Sequence, residues 1–112
     1  MPKCKIIALT TPKPGQEKEF ADWYQNTHLP EMTSFAGSQG AQRFQLVAKM
    51  MGADTNQFLA VYDIECDDPG AYLAAVGAAA QSGKLTPGLW SQDETTYTAL
   101  FVECGEYVKG VG

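Results

Sequence analysis

Hydrophobic and polar positions alternate with two different periods along the chain, and each period marks an element. Residues 4–11 (CKIIALTT) are apolar and β-branched and end at the breaker PKPG. This pattern predicts a strand that is buried on both faces or nearly so. Residues 16–28 switch to a spacing of three and four, which predicts an amphipathic helix whose apolar stripe is Phe20, Trp23, Tyr24 and Thr27.

The end of this helix carries the only histidine of the chain, His28. Pro30 disfavours helical geometry at Leu29, so we expect the helix to end or kink near His28. Residues 31–40 (EMTSFAGSQG) then form a loop.

Two further strands are predicted on either side of a short turn. Residues 41–51 alternate, with one side made of Phe44, Leu46, Ala48 and Met50, and the turn GADTN follows. Residues 57–66 also alternate and place on one face Phe58, Ala60, Tyr62 and Ile64. Two strands with so short a connection predict a hairpin.

The second half of the chain predicts one more helix and one more strand. Asp68 is placed to cap a helix, and Pro69 suits its first position. Alanine-rich sequence continues this helix to Gly83, and KLTPGLWSQD forms a loop. In residues 94–104 the last strand alternates, with one side made of Tyr97, Ala99 and Phe101 and the other of Thr98, Leu100 and Val102.

The resulting order is β-α-β-β-α-β within a single domain, residues 1–112. This order predicts an α+β fold of the ferredoxin-like type, with a four-stranded antiparallel sheet and two helices on one face. All four strands carry apolar or aromatic residues on both sides, so one chain leaves an apolar sheet face exposed. We therefore expect a homodimer that packs sheet against sheet into a closed barrel.

Charge and composition narrow the range of partners. The net charge is −5 and the eight basic residues are scattered, so we expect neither nucleic-acid binding nor a basic membrane patch. No apolar run suits a signal peptide or a membrane span. The three cysteines, Cys4, Cys66 and Cys104, fall within predicted strands without a close pair, which indicates free thiols and a cytoplasmic protein.

The stretch FADWYQNTHLPEM, residues 20–32, combines an aromatic pair in the first helix with histidine, a hydrophobic residue and proline at its end. With the length and the order of elements, this stretch resembles the EthD-like proteins of the dimeric α+β barrel superfamily. The resemblance implies a small-molecule ligand held within one protomer, between the sheet and the two helices. Relatives include polyketide cyclases, muconolactone isomerases, cofactor-free monooxygenases and haem-degrading enzymes, so the resemblance does not choose a reaction.

His28 is the first candidate for catalysis, because an imidazole exchanges protons near neutral pH. Tyr24 lies one turn earlier and can share its face, while Asn26 and Asp22 can orient the ring. The alternative is that His28 only bonds the last helical carbonyls and complements the helix dipole.

Six further residues are candidates to bind a substrate: Trp23, Asn26, Arg43, Tyr62, Trp90 and Tyr97. The alternative for Trp23 is that it only packs in the core. The alternative for Tyr62 and Tyr97 is that they form contacts in the core or across the dimer. The alternative for Arg43 is a surface ion pair. Trp90 lies in a loop that covers either the cleft or the rim of the dimer.

The pattern of chemistry-bearing residues predicts a cofactor-independent enzyme. One histidine without clustered acidic or cysteine residues does not suit an ordinary metal site, and no nucleotide-binding loop is present. We expect acid/base chemistry by His28 on a small aromatic or polyketide-like molecule: isomerisation, cyclisation, lyase chemistry or oxygenation. A haem-binding or haem-degrading role stays open, because His28 alone can ligate haem iron. So do a non-catalytic binding role and a purely structural dimer.

Overall fold

Four strands and two main helical segments account for most of the chain. The computed structural model describes residues 1–112. The strands are β1 (Lys3–Thr10), β2 (Ser38–Gln45), β3 (Phe58–Glu65) and β4 (Tyr97–Val102). They form one antiparallel sheet in the order β2-β3-β1-β4. The predicted α+β, ferredoxin-like arrangement is confirmed.

The first helical segment is longer than the sequence predicted. It comprises α1 (Glu17–Trp23), a π-helical turn (Tyr24–His28) and α2 (Leu29–Met32). Of the expected end or kink near His28, the end is therefore wrong, and the backbone instead changes to a π-helical register there. The backbone N–H of Leu29 donates to the carbonyl of Tyr24, five residues back. Because Pro30 has no N–H and its ring crowds an ordinary helical turn, the wider π register lets the helix continue through it.

The second helix, α3 (Pro69–Gln81), begins as its cap predicts. The Asp68 carboxylate accepts a hydrogen bond of 3.1 Å from the backbone N–H of Ala71. Pro69 occupies the first turn, where a missing N–H costs nothing. The helix ends at Gln81, two residues before the predicted end at Gly83.

Two strand boundaries differ from the prediction. β2 starts at Ser38 and stops at Gln45, which pairs with Phe58 at the start of β3. One more hydrogen bond, from the backbone N–H of Leu46 to the carbonyl of Gln57 at 2.8 Å, follows this pair. Residues 46–57 leave the sheet, and the predicted alternation fails there: Val47, Met50 and Met51 are almost fully exposed. β4 is shorter than residues 94–104, since residues 93–95 form a 3₁₀ turn and Cys104 is exposed beyond the strand.

The inner face of the sheet carries the core. It buries alternate residues of the two central strands against the helices: Cys4, Ile6 and Ala8 from β1, and Ala60, Tyr62 and Ile64 from β3. Phe20 of α1 is completely buried between them. Tyr72 closes the other end of the core from α3. The helices are therefore fixed to the sheet mainly through aromatic rings, which also form the walls of the site.

The outer face of the sheet is apolar and is not covered within one chain. Cross-strand pairs place Ile7 opposite Val61 and Ala99, and Leu9 opposite Leu59 and Tyr97. Phe44 and Phe101 extend this surface on the edge strands and are about half exposed. The ion pair between Lys5 and Asp63 marks its polar end. No helix in the chain is long and apolar enough to cross a membrane.

Candidate functional site

A cavity of about 490 Å³ lies between the inner face of the sheet and the helices. Its floor is formed by β1, β3 and β4, and its walls are formed by the π-helical turn and α3. Loop residues 88–96 complete the rim. The lining residues on the sheet and the helices are Ile6, Ala8, Thr10, Trp23, Tyr24, His28, Met32, Tyr62, Leu73, Val76, Thr98, Ala99 and Leu100. Those on the rim are Gly88, Ser91, Asp93 and Thr96.

The π-helical turn brings three cavity-lining rings together. His28 stacks on Trp23, five residues earlier, with ring centroids 4.6 Å apart and an angle of 26° between the planes. Tyr24, four residues earlier, meets His28 edge to face at 4.8 Å. A wide turn lets both earlier residues contact the imidazole, because residue i lies over the gap between i−4 and i−5. The resulting group is an imidazole enclosed by aromatic rings.

The surroundings of His28 favour its neutral form. Burial lowers the pKa of His28 to about 4, with the nearby Glu31 carboxylate opposing the shift. The Nδ1 atom is buried and has no hydrogen-bond partner. The two residues expected to orient the ring do not do so, since Asp22 pairs with Lys18 and Asn26 is exposed. Without such a partner the imidazole is not held as a cation, and it is a neutral base at physiological pH.

Two tyrosine hydroxyls meet beside His28. The Tyr62 hydroxyl donates to the Tyr24 hydroxyl at 3.1 Å, and the bond is buried. Burial is the largest cause that raises the pKa of each phenol, so both tyrosines are neutral. The Arg43 guanidinium lies 5.3 Å from the Tyr24 ring centroid and opposes both shifts. The pair is thus a fixed hydrogen-bonding group in an otherwise apolar wall.

The loop after α3 closes over Trp23 and is tied down at several points. The Glu31 carboxylate accepts hydrogen bonds from the backbone N–H and the hydroxyl of Thr86, at 2.8 and 2.7 Å, and these bonds lower the pKa of Glu31. Lys13 donates its backbone N–H to the carbonyl of Trp90 at 2.7 Å. A Cβ atom added to Gly88 would lie 2.6 Å from Cη2 of Trp23. Only glycine therefore fits between this loop and the indole.

The structure brings four of the eight predicted site residues into the cavity: Trp23, Tyr24, His28 and Tyr62. Trp90 and Arg43 do not line it and instead contact its walls. The Trp90 ring lies 6.1 Å from Trp23, and Arg43 lies over aromatic rings of the core. Arg43 takes part in no ion pair, so its expected alternative as a surface ion pair is not seen.

Tyr97 and Asn26 lie away from the cavity, in contrast to the prediction. Tyr97 is opposite Leu9 in the sheet and is 45% exposed on the outer face, so its hydroxyl is separated from the cavity by the sheet itself. Asn26 is on the solvent side of the π-helical turn. The register of β4 turns Tyr97 outward, and the rotation of the helix turns Asn26 towards solvent. Neither is visible in the composition of the chain.

The residues that sequence reasoning missed include apolar side chains of the sheet and helices and several small polar residues. Thr98 and Leu100 of β4 line the cavity, because this half of the strand alternation faces the helices. Asp93, Thr96 and Ser91 add polar groups at the rim. The alternation of β4 is visible in the sequence. Because both of its sides are apolar, however, the alternation does not indicate which side faces inward. No cluster of three histidine, cysteine or acidic side chains is positioned to hold a metal ion.

Comparison with known proteins places the fold. Neither a protein-family model nor a curated protein matches the sequence. Among solved structures, an ethyl tert-butyl ether D (EthD) family protein from Bacillus halodurans matches with a TM-score of 0.52 and 19% identity, over 95% of this chain and 99% of that chain. A dimeric ferredoxin-like protein of unknown function from Thermobifida fusca matches with a TM-score of 0.53 and 10% identity, over 91% and 92%.

These similarities confirm, at the level of the fold, the resemblance to EthD-like, dimeric ferredoxin-like proteins that the sequence indicated. At these identities the likeness shows a shared fold. The class defined by fold and site is therefore a small ferredoxin-like α+β protein with an aromatic-walled cavity between its sheet and its helices.

Replacing Gly88 by alanine tests the contact between the loop and Trp23. The new methyl group has to displace the indole or the loop, which we expect to cost about 1–3 kcal/mol of unfolding free energy. Urea denaturation and the near-ultraviolet circular dichroism of the tryptophans measure both effects. Gly77→Ala is the matched control, since Gly77 lies exposed within α3 with open space around it, and alanine there should stabilise by about 0.5–1 kcal/mol. Equal stability of the two variants would contradict the contact.

The lowered pKa of His28 predicts a pH dependence of stability. An unfolded chain binds a proton at His28 near pH 6.5, while the folded chain resists it until about pH 4. Stability from this group is therefore complete above pH 6.5 and falls as the pH drops towards 4, by roughly 1.4 kcal/mol per pH unit at most. Denaturant titrations from pH 4 to 8 measure the slope.

His28→Gln separates this effect from that of other groups. Glu31 also has a lowered pKa and contributes its own loss of stability on acidification, so Glu31→Gln is the companion variant. We expect the slope between pH 6.5 and 4 to shrink in His28→Gln. An unchanged slope in that variant would show that His28 binds its proton in the same pH range in the folded and the unfolded chain, and that its pKa is not lowered.

Proposed function

We propose that the protein binds a small, mostly apolar molecule in the cavity and that neutral His28 acts on it as a general base. The observation that carries this proposal is the partly buried, neutral imidazole, which stacks on Trp23 and lines a ligand-sized cavity with aromatic walls. A capping residue lies at a helix end, and His28 does not, because the helix continues past it to Met32.

The size and lining of the cavity support a small-molecule ligand. A volume of about 490 Å³ lies within the range of roughly 300–1,000 Å³ that is common for such sites. Apolar side chains of the sheet and of α3 surround a few polar groups, which are His28, the tyrosine pair and the rim threonines. Flat aromatic compounds suit such walls, because aromatic and aliphatic side chains line the cavity on both sides.

The chemistry that suits this site is proton transfer next to a carbonyl or a phenol. A neutral imidazole removes the proton, and the cation that forms is unfavourable in its apolar surroundings. It therefore returns the proton readily, either to the same molecule at another atom or to a leaving group. This cycle needs no cofactor and serves isomerisation, cyclisation and lyase reactions. Removal of a phenolic proton is also the first step of cofactor-free oxygenation.

We also propose that the protein is a homodimer that joins through the outer sheet faces. Ile7, Leu9 and Phe101 belong to a continuous apolar surface that a single chain leaves uncovered. A second copy supplies a matching surface, since the same face pairs with itself about a two-fold axis. The Thermobifida fusca protein with a similar fold is dimeric.

The three cysteines support a cytoplasmic location for this dimer. All three are free thiols, and Cys104 is exposed. Exposed free thiols suit a reducing compartment, where they are not oxidised or paired with other proteins.

A ligand screen with matched variants tests the general base. Wild type, His28→Gln and Asn26→Ala are screened by thermal shift against phenols, aryl ketones, lactones and haem. Asn26 is the control because it lies on the same π-helical turn but outside the cavity. For a stabilising ketone or lactone, exchange of the α-hydrogen for deuterium is then followed by NMR.

We expect His28→Gln to slow this exchange by about 100-fold or more, while Asn26→Ala exchanges like wild type. Binding without any effect of His28→Gln on exchange would make the protein a non-catalytic binding protein. Stabilisation by haem, with a Soret band that disappears in His28→Gln, would identify a haem protein and contradict the proposal.

Charge on the outer sheet face tests the dimer. Ile7→Lys places a charge at the centre of the apolar surface, and Phe101→Lys places one on the edge strand. We expect both variants to sediment as monomers in analytical ultracentrifugation while keeping the far-ultraviolet circular dichroism of wild type. Leu89→Lys is the control, because Leu89 is exposed in the loop after α3 and not on the sheet. A monomeric wild type, or dimers in all variants, would refute this interface.

A further inference from the structure

The buried tyrosine pair leaves one hydrogen-bond donor unused. Because the Tyr62 hydroxyl donates to the Tyr24 hydroxyl, the hydrogen of Tyr24 is free to point elsewhere. No group of the protein accepts it, and Tyr24 lines the cavity. A buried hydroxyl normally donates to a partner when one is within reach. The free donor of Tyr24 is therefore available to an acceptor atom inside the cavity.

A positive charge lies over the ring of Tyr24 and has no carboxylate partner. Arg43 is opposite Ala60 in the sheet, which places it on the inner face beside β3. Its guanidinium carbon is within 6 Å of three ring centroids, those of Phe20, Tyr24 and Phe58. The ion pairs of the protein are between other residues, Lys5 with Asp63 and Lys18 with Asp22. The charge of Arg43 is thus not compensated by an ion pair, and it lies 5.3 Å from the centroid of the Tyr24 ring.

From this geometry we propose that Tyr24, Tyr62 and Arg43 form a binding site for the oxyanion of a phenol or an enol. Tyr24 donates directly to the anionic oxygen, and charge-assisted O–H···O⁻ bonds of this kind are short and strong in a dry site. Tyr62 is a positioning residue, because its own hydrogen bond turns the free hydrogen of Tyr24 away from it. Arg43 acts through space as the nearest positive charge.

The other charged and titratable groups near the cavity do not supply this function. His28 is neutral, and Glu31 is held by Thr86 at the base of the loop. Asp93 lines the rim and would repel an anion there. A negative oxygen is therefore favoured at the tyrosine end of the cavity, next to Arg43, and disfavoured at the end that holds Asp93.

This inference deepens the proposed function, on which it rests for the use of the cavity, by naming the class of substrate. For a ketone or lactone, the C–H bond next to the carbonyl breaks and His28 takes the proton. The electron pair of that bond forms the C=C bond of the enolate, and the carbonyl pair moves to oxygen, which Tyr24 stabilises. Return of the proton to carbon or oxygen restores neutral His28. For a phenol, the O–H proton moves to His28 and the phenolate oxygen is held in the same way.

Binding of 4-nitrophenol tests the oxyanion site without turnover, because its phenolate is yellow and its phenol is nearly colourless. We expect wild type to bind the phenolate, so that the apparent pKa of the bound dye falls below that of the free dye. Tyr24→Phe should lose about 10- to 100-fold in phenolate affinity, the usual range for a hydrogen bond to a charged group. Tyr62→Phe and Arg43→Gln should each give a smaller loss and move the dye's pKa back towards its free value.

Tyr72→Phe is the matched control, since Tyr72 is a buried tyrosine of the same core that does not line the cavity. It should bind the phenolate like wild type, and circular dichroism shows which variants are folded. Binding of the neutral phenol, no binding of the dye, or equal phenolate affinity in folded Tyr24→Phe would each overturn the oxyanion site.

His28→Gln distinguishes the failure of this inference from that of the proposed function. If that variant still binds the phenolate and its deuterium exchange equals that of wild type, the general-base proposal is contradicted and the oxyanion site is supported. If exchange depends on His28 while wild type binds only the neutral phenol, the general-base proposal is supported and the oxyanion site is contradicted.

Discussion

The site depends on how the first helix accommodates Pro30. A proline inside a helix removes one hydrogen bond and crowds the preceding turn, so the backbone widens into a π-helical turn over Tyr24–His28. The wider turn places the imidazole of His28 over both Trp23 and Tyr24. The same proline that would ordinarily end a helix therefore creates the stack of rings around the single histidine of the chain.

Burial of this stack decides the chemistry that the histidine can perform. The imidazole lies between aromatic rings, has no hydrogen-bond partner at Nδ1, and gains only a smaller, opposing effect on its pKa from the Glu31 carboxylate. Desolvation therefore has the largest effect on the pKa of the imidazole, and the side chain is present as a neutral base and not as a protonated acid. The loop that carries Gly88 completes the enclosure, because its backbone packs directly on the Trp23 indole and is fixed to α2 through Glu31.

The two faces of the sheet serve different purposes, and the boundary between them is the β-strand alternation. Inward residues of β1 and β3 pack on the helices and form the floor of the cavity. Outward residues form the apolar surface that we assign to the dimer. The rigidity of the sheet holds the Tyr62 hydroxyl in place, while the helix carries Tyr24 and His28. The polar groups of the site thus come from separate elements that are locked together by the aromatic core.

Much of the fold was predictable from local patterns. An apolar, β-branched run identified β1, strand alternation identified β3 and grouped the residues of each of its faces, and Asp68 with Pro69 marked the start of α3. His28, Tyr24 and Trp23 were found because an aromatic-rich helix with a terminal histidine is a short-range pattern, and all three line the cavity. These features depend on residues within about one or two turns of each other, where sequence spacing and spatial distance correspond.

The remaining features depend on contacts between elements. The end of β2 was set by where β3 begins, and the inward side of β4 was set by its register on β1, which turned Tyr97 out and Thr98 in. The bond between the hydroxyls of Tyr24 and Tyr62 joins residues 38 positions apart. The position of Arg43 over three rings and the fit of Gly88 against Trp23 are likewise products of packing. The sequence by itself determined the elements and most of the reactive groups. Only the tertiary structure decided their registers and partners, because close packing between elements leaves no trace in local periodicity.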